Sequence, residues 1–273
     1  MNGKVEEIEF YLLLEAIYQS YGYDFRDYAP ASLKRRIRKC MNDLGVKTIS
    51  AFQDKILHEK KSFTGFLNTV SIDVTSMFRD PDFFLAVKQK IFPMLKNLPF
   101  IRIWHAGCAT GEEIYSLAIL LKEEKLYDKA RIYATDMNDV VLEKGKNGIF
   151  PLKNIQDYTK NYQNAGGEND FSRYYTAKYD HAVMNSSLKQ NIVWAQHNLV
   201  TDGSFNEFDI VFCRNTMIYF NQPLQEHVHK LILDSLAIGG TLGLGKKESF
   251  HSSSFRDNYV DIDDKVKLFK RVK

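Results

Sequence analysis

The segment Ala106-Gly-Cys-Ala-Thr-Gly-Glu-Glu113 decides how this chain of 273 residues is expected to fold. It follows the strand-like run Ile101-Arg-Ile-Trp-His105 and precedes a helical pattern over Ile114–Lys122. In α/β proteins the first turn from strand to helix brings backbone amides to a nucleotide, and ligands bind beyond the carboxyl ends of the strands. Gly107 and Gly111 permit a tight turn and a close approach of ligand to backbone. The segment therefore predicts a nucleoside-binding loop, although two glycines alone are also typical of an ordinary turn.

The chain beyond this loop alternates between short strand-like runs and helical patterns. The further strand candidates are Arg131–Thr135, Ile192–Ala195, Asp209–Cys213, Thr241–Leu244 and Val266–Phe269. Helical patterns over Val140–Lys146 and Gln222–Leu236 lie among them. This alternation predicts an α/β fold, a Rossmann-like and mostly parallel sheet with helices on both faces.

Two segments lie outside the alternation. From Glu6 to about Leu98, apolar residues recur at spacings of three and four, which is typical of helices. We therefore expect a small all-helical N-terminal domain over residues 1–85, followed by a second domain over residues 86–273. Residues 150–191 are rich in Tyr, Asn, Lys and Ser and are far too long for a loop between helix and strand, so we expect an inserted subdomain there.

Composition and charge exclude several classes of function. The chain has no run of 18 apolar residues and its N-terminus lacks the order of a signal peptide, so we expect a cytoplasmic protein without direct membrane insertion. Cys40, Cys108 and Cys213 lie far apart and the histidines do not cluster, so we expect no disulfide and no metal. The net charge of +3 is too small to indicate nucleic acid or a membrane surface by itself.

The acidic residues near the loop separate two classes of cofactor. Asp136 follows the second strand candidate, where a carboxylate can accept hydrogen bonds from ribose hydroxyls. A nicotinamide enzyme shares that feature, but this loop lacks the G-x-G-x-x-G order that places a pyrophosphate on a helix N-terminus. Glu112 and Glu113 repel a pyrophosphate and suit a ligand that carries an ammonium and a sulfonium group. The residues therefore favour S-adenosylmethionine over a dinucleotide.

Three blocks resemble the signature segments of the chemotaxis receptor methyltransferases, the CheR family. The blocks are Val74–Asp80, Gly107–Ser116 and Phe212–Phe220, and they occur in the family's order and spacing. The resemblance covers nearly the whole chain. It implies a helical N-terminal domain, a methyltransferase sheet that carries a small antiparallel β insertion, and methyl transfer from S-adenosylmethionine to glutamate carboxylates of chemotaxis receptors, with S-adenosylhomocysteine as the product.

The resemblance also implies roles for individual residues. The implied cofactor contacts are Asp73, Thr75, Arg79, Gly107, Glu113, Asp136, Asn198, Leu199, Arg214 and Asn215. Arg79 and Tyr219 are implied to line the transfer centre. Simpler interpretations are a helix cap for Thr75, a surface charge for Arg79, a core aromatic for Tyr219 and a turn residue for Asn198. At Asp73 the chain departs from many members, which carry Asn there.

Methyl transfer to a carboxylate needs little chemistry from the protein. A glutamate side chain ionises with a pKa of about 4.3 in water and is already charged at neutral pH, so alignment and exclusion of water suffice. Arg79 and Tyr219 can hold a carboxylate because both donate hydrogen bonds at neutral pH. The chain lacks the Asp/Asn-Pro-Pro-Tyr/Phe box of many nucleic-acid amino methyltransferases, which argues against a nucleic-acid substrate.

A basic helix is the predicted docking surface for the receptor. Residues 31–41 carry five cations and no acid. A solvated face is the simpler interpretation, but the family resemblance implies that Arg35, Arg36 and Arg38 contact the acidic helices of the receptor's cytoplasmic region. Complementary charge would speed encounter and set the register.

The insertion departs from the members that tether to a C-terminal receptor pentapeptide. Their glycine-rich loop is missing from Tyr174–Val183, so we expect direct docking rather than tethering, by a monomer recruited to receptor arrays. Two alternatives remain open: a signalling module that binds the cofactor without catalysis, and a methyltransferase with a different protein acceptor.

Overall fold

The N-terminal part of the protein is a set of four packed helices. The computed structural model describes residues 2–71, 75–248, 250 and 253–273. The helices are α1 (Asn2–Tyr21), α2 (Pro30–Asp43), α3 (Ile49–His58) and α4 (Lys60–Val70). Pro30 occupies the first turn of α2, where its missing N–H costs nothing, and the Thr48 hydroxyl caps α3 by accepting a bond from the Ala51 N–H. The all-helical N-terminal architecture predicted from the sequence is confirmed.

The next helix is interrupted, although its sequence pattern predicts one continuous helix from Asp82 to Lys96. It consists of α5 (Pro81–Ala86), a π-helical turn over Val87–Ile91 and α6 (Phe92–Leu95). Pro93 cannot donate the hydrogen bond that a regular helix requires at this point, and the chain widens into the π turn just before it.

A seven-stranded sheet forms the centre of the protein. Its strands are β1 (Ile101–Ala106), β2 (Ala130–Asp136), β6 (Ile192–Gln196), β7 (Phe208–Cys213), β8 (Leu236–Leu244), β9 (Tyr259–Asp263) and β10 (Leu268–Arg271). Their spatial order is β6-β2-β1-β7-β8-β10-β9. The first five of these run parallel, whereas β10 is antiparallel to both β8 and β9. The helices α7 (Glu112–Glu123), α8 (Asp139–Asn147) and α10 (Gln222–Ser235) connect the parallel strands, so the predicted α/β fold is confirmed.

The last three strands differ in detail from the sequence expectation. β8 begins directly where α10 ends, at Leu236, and not at Thr241. The run that begins at Val266 starts its strand only at Leu268, because Lys267 adopts a left-handed conformation with a φ of 62°. β9, which the sequence analysis did not identify, is a short edge strand.

The inserted segment forms a separate small sheet. Its strands β3 (Ile149–Pro151), β4 (Tyr175–Lys178) and β5 (His181–Met184) pair antiparallel in the order β3-β5-β4. A helix, α9 (Ile155–Asn164), lies between β3 and β4. The Glu123 carboxylate at the end of α7 accepts bonds from the hydroxyls of Tyr162 and Tyr174, which fastens the insertion to the main domain.

Two hydrophobic layers cover the sheet. Ile103 faces a layer formed by α5 to α7 and the insertion, whereas its neighbour Trp104 faces the N-terminal helices and α10. The opposite orientation of neighbouring residues is the pleat of a strand buried on both faces. The N-terminal helices therefore share their core with one side of the sheet. Among the described residues, no helix combines the length and the apolar character needed to cross a membrane.

Candidate active site

A pocket lies beyond the carboxyl ends of the parallel strands. The space outside the protein atoms in this pocket is about 920 Å³, a volume that includes its opening to solvent. The chain leaves β1 toward β2 on one side and reaches β7 on the other side only later, so the strand order reverses at this position. Ligands of doubly wound sheets bind at such a reversal.

The structure brings together residues that the sequence analysis selected from distant segments. Ten of them line this pocket: Thr75, Arg79, Gly107, Glu113, Asp136, Asn198, Leu199, Arg214, Asn215 and Tyr219. The eleventh, Asp73, lies outside the described residues. Their positions follow from the fold, because each segment directly precedes α5 or follows one of the strands β1, β2, β6 and β7.

The loop after β1 has the conformation that its glycines allow. Gly107 has a φ of +77°, and a Cβ there would lie 2.5 Å from the Thr216 hydroxyl oxygen, so no other residue fits. Gly111 has a φ of +88°, and a Cβ there would meet the Trp194 ring at 2.6 Å. The second glycine is therefore required by packing of the loop on β6, in addition to the tight turn.

Asp136 fixes this loop from the end of β2. One carboxylate oxygen accepts a hydrogen bond of 3.0 Å from the Ala109 N–H, and the other accepts one of 3.1 Å from the Asn138 N–H. Ala109 itself has a φ of 48°, a conformation uncommon for a residue with a side chain. The carboxylate thus stabilises the turn and lines the pocket at the same time.

A buried charge cluster forms one wall of the pocket. The Arg214 guanidinium donates to Glu113 at 2.7 Å and to Asp80 at 2.8 Å, and its side chain is only 1% exposed. It also packs on the Phe83 ring at 4.0 Å. The His105 Nε2 lies 3.4 Å from Glu113. Burial opposes ionisation of Glu113, but the charge of Arg214 and the contact with His105 prevail and lower its pKa to about 2.

Arg214 changes the electrostatic environment that the sequence predicts at this loop. Glu113 is ionised, as expected, but its carboxylate is paired with the guanidinium of Arg214. Asp80, which was not selected from the sequence, balances the other side of the arginine. A cationic ligand group would therefore meet a network of two carboxylates and one guanidinium, with Glu113 on the lining of the pocket.

Several buried polar atoms of the pocket have no hydrogen-bond partner within the described part of the chain. They are Ser71 Oγ, His105 Nδ1, His197 Nδ1, Arg214 Nε and Asn215 Oδ1. Buried polar groups are nearly always satisfied in folded proteins, and leaving one unsatisfied costs about 1–3 kcal/mol. A polar ligand with donors and acceptors of its own fits this lining, and S-adenosylmethionine has both.

Arg79 lies in a constrained segment before α5. Both of its neighbours, Phe78 and Asp80, have left-handed backbone conformations with φ of 51° and 55°. For a bulky residue this conformation is strained, and it is maintained here because the Ser116 hydroxyl oxygen accepts a 2.8 Å bond from the Phe78 N–H. Strain of this kind concentrates at functional sites. Tyr219 ends a short 3₁₀ turn after β7, on another wall of the same pocket.

The comparison with protein families agrees with this architecture. The family described as "CheR methyltransferase, SAM binding domain" matches residues 73–266, and "CheR methyltransferase, all-alpha domain" matches residues 8–71. The chain belongs to the CheR family. It is therefore an S-adenosylmethionine-dependent methyltransferase, as the resemblance implied.

Individual relatives support the same assignment. The chain is 45% identical to the "Putative methyltransferase Cher3" of Pseudomonas putida, over 97% of both chains. It is 26% identical to the "Chemotaxis protein methyltransferase" of Escherichia coli, over 90% of this chain and 86% of that one. The protein of the same name from Listeria monocytogenes is 25% identical over 89% of this chain and 90% of that one.

One further residue of this CheR protein was missed by the sequence analysis. Glu248 is 4% exposed, and its carboxylate accepts four backbone N–H bonds. The donors are Gly245 at 2.6 Å, Thr216 at 2.8 Å, Met217 at 2.9 Å and Asn215 at 3.0 Å. Burial raises the pKa of Glu248, while these amides oppose the rise. Since each oxygen accepts two N–H groups, the arrangement requires the ionised form and fixes the loop that carries Arg214 and Tyr219.

The basic helix of this CheR protein differs from expectation at one position. Arg35 and Arg38 are exposed on α2, and Arg38 pairs with Glu6 at 2.7 Å. Arg36 is only 8% exposed, so the three arginines do not form a single exposed docking face. The reason is its helical phase, because Arg36 stands three residues after the buried Leu33 and four before the buried Cys40.

Proposed function

We propose that this CheR protein transfers a methyl group from S-adenosylmethionine to glutamate side chains of chemotaxis receptors, forming methyl esters and S-adenosylhomocysteine. The observation that carries the proposal is the meeting of Arg79 and Tyr219 at one pocket with the family's cofactor segments. The names of the relatives from Escherichia coli and Listeria monocytogenes support a chemotaxis receptor as acceptor.

The lining of the pocket is suited to each part of the cofactor. Asp136 would accept hydrogen bonds from ribose hydroxyls, and Asn198 with Leu199 would bind the adenine. Glu113 would bind the ammonium group and Arg214 or Arg79 the carboxylate of the methionine part. When bound, S-adenosylmethionine supplies an electrophilic methyl group on a sulfonium centre.

The protein's own contribution is to place the acceptor. An ionised glutamate needs no general base, so the residues must orient its carboxylate and exclude water. Arg79 and Tyr219 can each donate a hydrogen bond to that carboxylate. Tyr28, Leu199 and Phe220 add apolar surface to the same pocket. Exclusion of water strengthens the hydrogen bonds that hold the acceptor.

Residues 1–85 are proposed to dock the receptor. The exposed Arg35 and Arg38 of α2 would meet acidic side chains of the receptor's helical cytoplasmic region. Replacing both with glutamate should slow methylation and weaken or invert its dependence on ionic strength, because rim charges act mainly on the association rate and salt screens the repulsion between like charges. Unchanged rate and salt dependence would refute the docking surface.

We further propose that a monomer docks directly at receptor arrays, on the cytoplasmic side, without a pentapeptide tether. Calorimetric titration with a peptide that carries a receptor's C-terminal pentapeptide should show no binding. Measurable binding in the micromolar range would overturn this part of the proposal.

The acceptor class is tested by labelled methyl transfer. The protein is incubated with S-adenosylmethionine labelled in its methyl group and a receptor cytoplasmic fragment, alongside a matched fragment in which the methylation-region glutamates are replaced by glutamine. Label should enter only the first fragment, in a base-labile form. If neither fragment is labelled while S-adenosylhomocysteine still binds, the receptor is the wrong acceptor.

A further inference from the structure

Arg36 brings a cation of the N-terminal helices into contact with the proposed transfer site. It lies on the inner side of α2, whereas its neighbour Arg35 is exposed. A buried guanidinium is costly unless its surroundings compensate the charge. Its surroundings therefore indicate what it does.

The guanidinium of Arg36 joins two elements of the pocket. It lies over the Tyr219 ring, 4.7 Å from the centroid, a distance at which a cation is attracted to an aromatic face. It also donates a hydrogen bond to the Val70 carbonyl at the end of α4. The chain continues from Val70 to Ser71 and, after the residues that are not described, to Thr75, and both Ser71 and Thr75 line the pocket.

The segment before α2 is bonded to the same part of the catalytic domain. The Ala29 N–H donates to the Tyr219 carbonyl at 2.7 Å, and Tyr28 pairs with Phe220 as an isolated β-bridge. The Asn221 N–H donates to the Asp27 carbonyl at 2.9 Å. The backbone of Tyr219 is therefore held by the segment that leads into α2, and its ring by a side chain from α2 itself.

We propose that Arg36 is a positioning residue of the methyl-transfer site, which holds the Tyr219 ring against the end of α4 so that the phenol hydroxyl meets the acceptor. This role differs from receptor docking, because the side chain is buried and packs on the ring of Tyr219. The inference rests on the proposed function in assigning the acceptor to Tyr219. It makes the N-terminal helices part of the transfer site.

Kinetics of three variants test the role. Arg36→Met removes the planar cation, Arg36→Lys retains charge and a donor, and Lys47→Met removes an exposed charge from the loop after α2. Small displacements at a reaction centre cost up to about a hundredfold in rate, so we expect Arg36→Met to lower kcat about tenfold or more. KM for the receptor fragment and Kd for S-adenosylhomocysteine should stay within about twofold of the wild type. A twofold change is small beside the tenfold change expected in kcat, which corresponds to about 1.4 kcal/mol.

Arg36→Lys should recover part of kcat, because lysine can bond the Val70 carbonyl but lacks the flat surface that stacks on the ring. Lys47→Met should match the wild type. A rise in KM at unchanged kcat in Arg36→Met would instead show that Arg36 binds the receptor, and would overturn the inference.

A double-mutant cycle with Tyr219→Phe distinguishes positioning from general support of the fold. If Arg36 acts by placing the phenol hydroxyl, Arg36→Met must cost less in the Tyr219→Phe background than in the wild type. Equal costs in the two backgrounds would refute the inference.

A measurement on the ring itself keeps the inference separate from the choice of acceptor. The ¹⁹F resonance of 3-fluorotyrosine placed at position 219 reports the ring environment without any substrate. It should shift in Arg36→Met and remain in place in Lys47→Met. An unchanged resonance would overturn the inference even if receptors are methylated, whereas a shifted resonance together with unlabelled receptor fragments would refute only the proposed acceptor.

Discussion

Replacing Glu248 with glutamine should destabilise the loop that forms one wall of the active site. The glutamine oxygen can still accept two of the four N–H bonds, but its NH₂ group confronts the other two donors. Each buried N–H left without an acceptor costs about 1–3 kcal/mol, so the free energy of unfolding should fall by about 2–6 kcal/mol. Because the loop carries Arg214 and Tyr219, the affinity for S-adenosylhomocysteine should fall with it.

Urea denaturation followed by tryptophan fluorescence measures the first effect, and calorimetry measures the second. Trp104 is fully buried in the core and reports unfolding directly. Glu226→Gln is a matched control, because the Glu226 carboxylate on α10 accepts bonds from the N–H and the hydroxyl of Ser254, which is exposed. The free energy of unfolding of Glu226→Gln should fall by less than about 1 kcal/mol.

The result for Glu248 could refute the reasoning in two ways. If the free energy of unfolding of Glu248→Gln lies within about 0.5 kcal/mol of the wild-type value, which is the usual range for surface substitutions, the four amides do not depend on the carboxylate. If stability falls while cofactor affinity and turnover are unchanged, Glu248 supports the fold but does not shape the site.

Three further predictions concern the cofactor, the acceptor and pH. Asp136→Asn should raise Kd for S-adenosylhomocysteine about tenfold by calorimetry, since hydrogen bonds to a charged group contribute about 1.5–3 kcal/mol, and an unchanged Kd would remove Asp136 from the ribose site. Tyr219→Phe should lower turnover at unchanged cofactor affinity, whereas Arg79→Ala should lower both; near-wild-type turnover in both variants would contradict their roles. Burial lowers the pKa of His229 from 6.5 to about 4. As the pH falls, the unfolded chain therefore binds a proton at His229 before the folded protein does. The free energy of unfolding that is present above pH 6.5 is lost as the pH falls toward 4. This loss amounts to about 3 kcal/mol by linkage, and His229→Leu should flatten that part of the urea-denaturation pH profile, while a parallel profile would refute it.

Much of the fold could be predicted because local patterns agree with it. The loop from Ala106 to Glu113 lies between a strand and a helix of regular pattern. A side chain at either of its two glycines would clash with neighbouring side chains. The pocket residues could be predicted from the sequence because parallel strands place their carboxyl ends at one edge of the sheet.

Other features depend on tertiary contacts that no local pattern encodes. Glu248 acquires its role only when a separate loop presents its backbone amides, and backbone groups carry no sequence signal. Asp80 becomes a partner of Arg214 only after the segment before α5 folds over β7. β9 is a short edge strand in which two aspartates alternate with residues of high strand propensity, so its local pattern is weak.

The burial of Arg36, by contrast, left a signal in its helical phase. Its position three residues after Leu33 and four before Cys40 puts it beside the apolar stripe of α2. The family resemblance grouped it with Arg35 and Arg38, whereas this helical phase separates it from them. Pro93 likewise indicated an interruption in the helix around it.

The most direct test of the central claim is to locate the transferred methyl group by mass spectrometry. A receptor cytoplasmic fragment is incubated with the protein and S-adenosylmethionine, digested, and its peptides are sequenced before and after mild base. The proposed function predicts methyl groups on glutamate side chains, absent after base because the ester is hydrolysed to methanol. Methyl groups on lysine or arginine, or a base-stable modification, would contradict it.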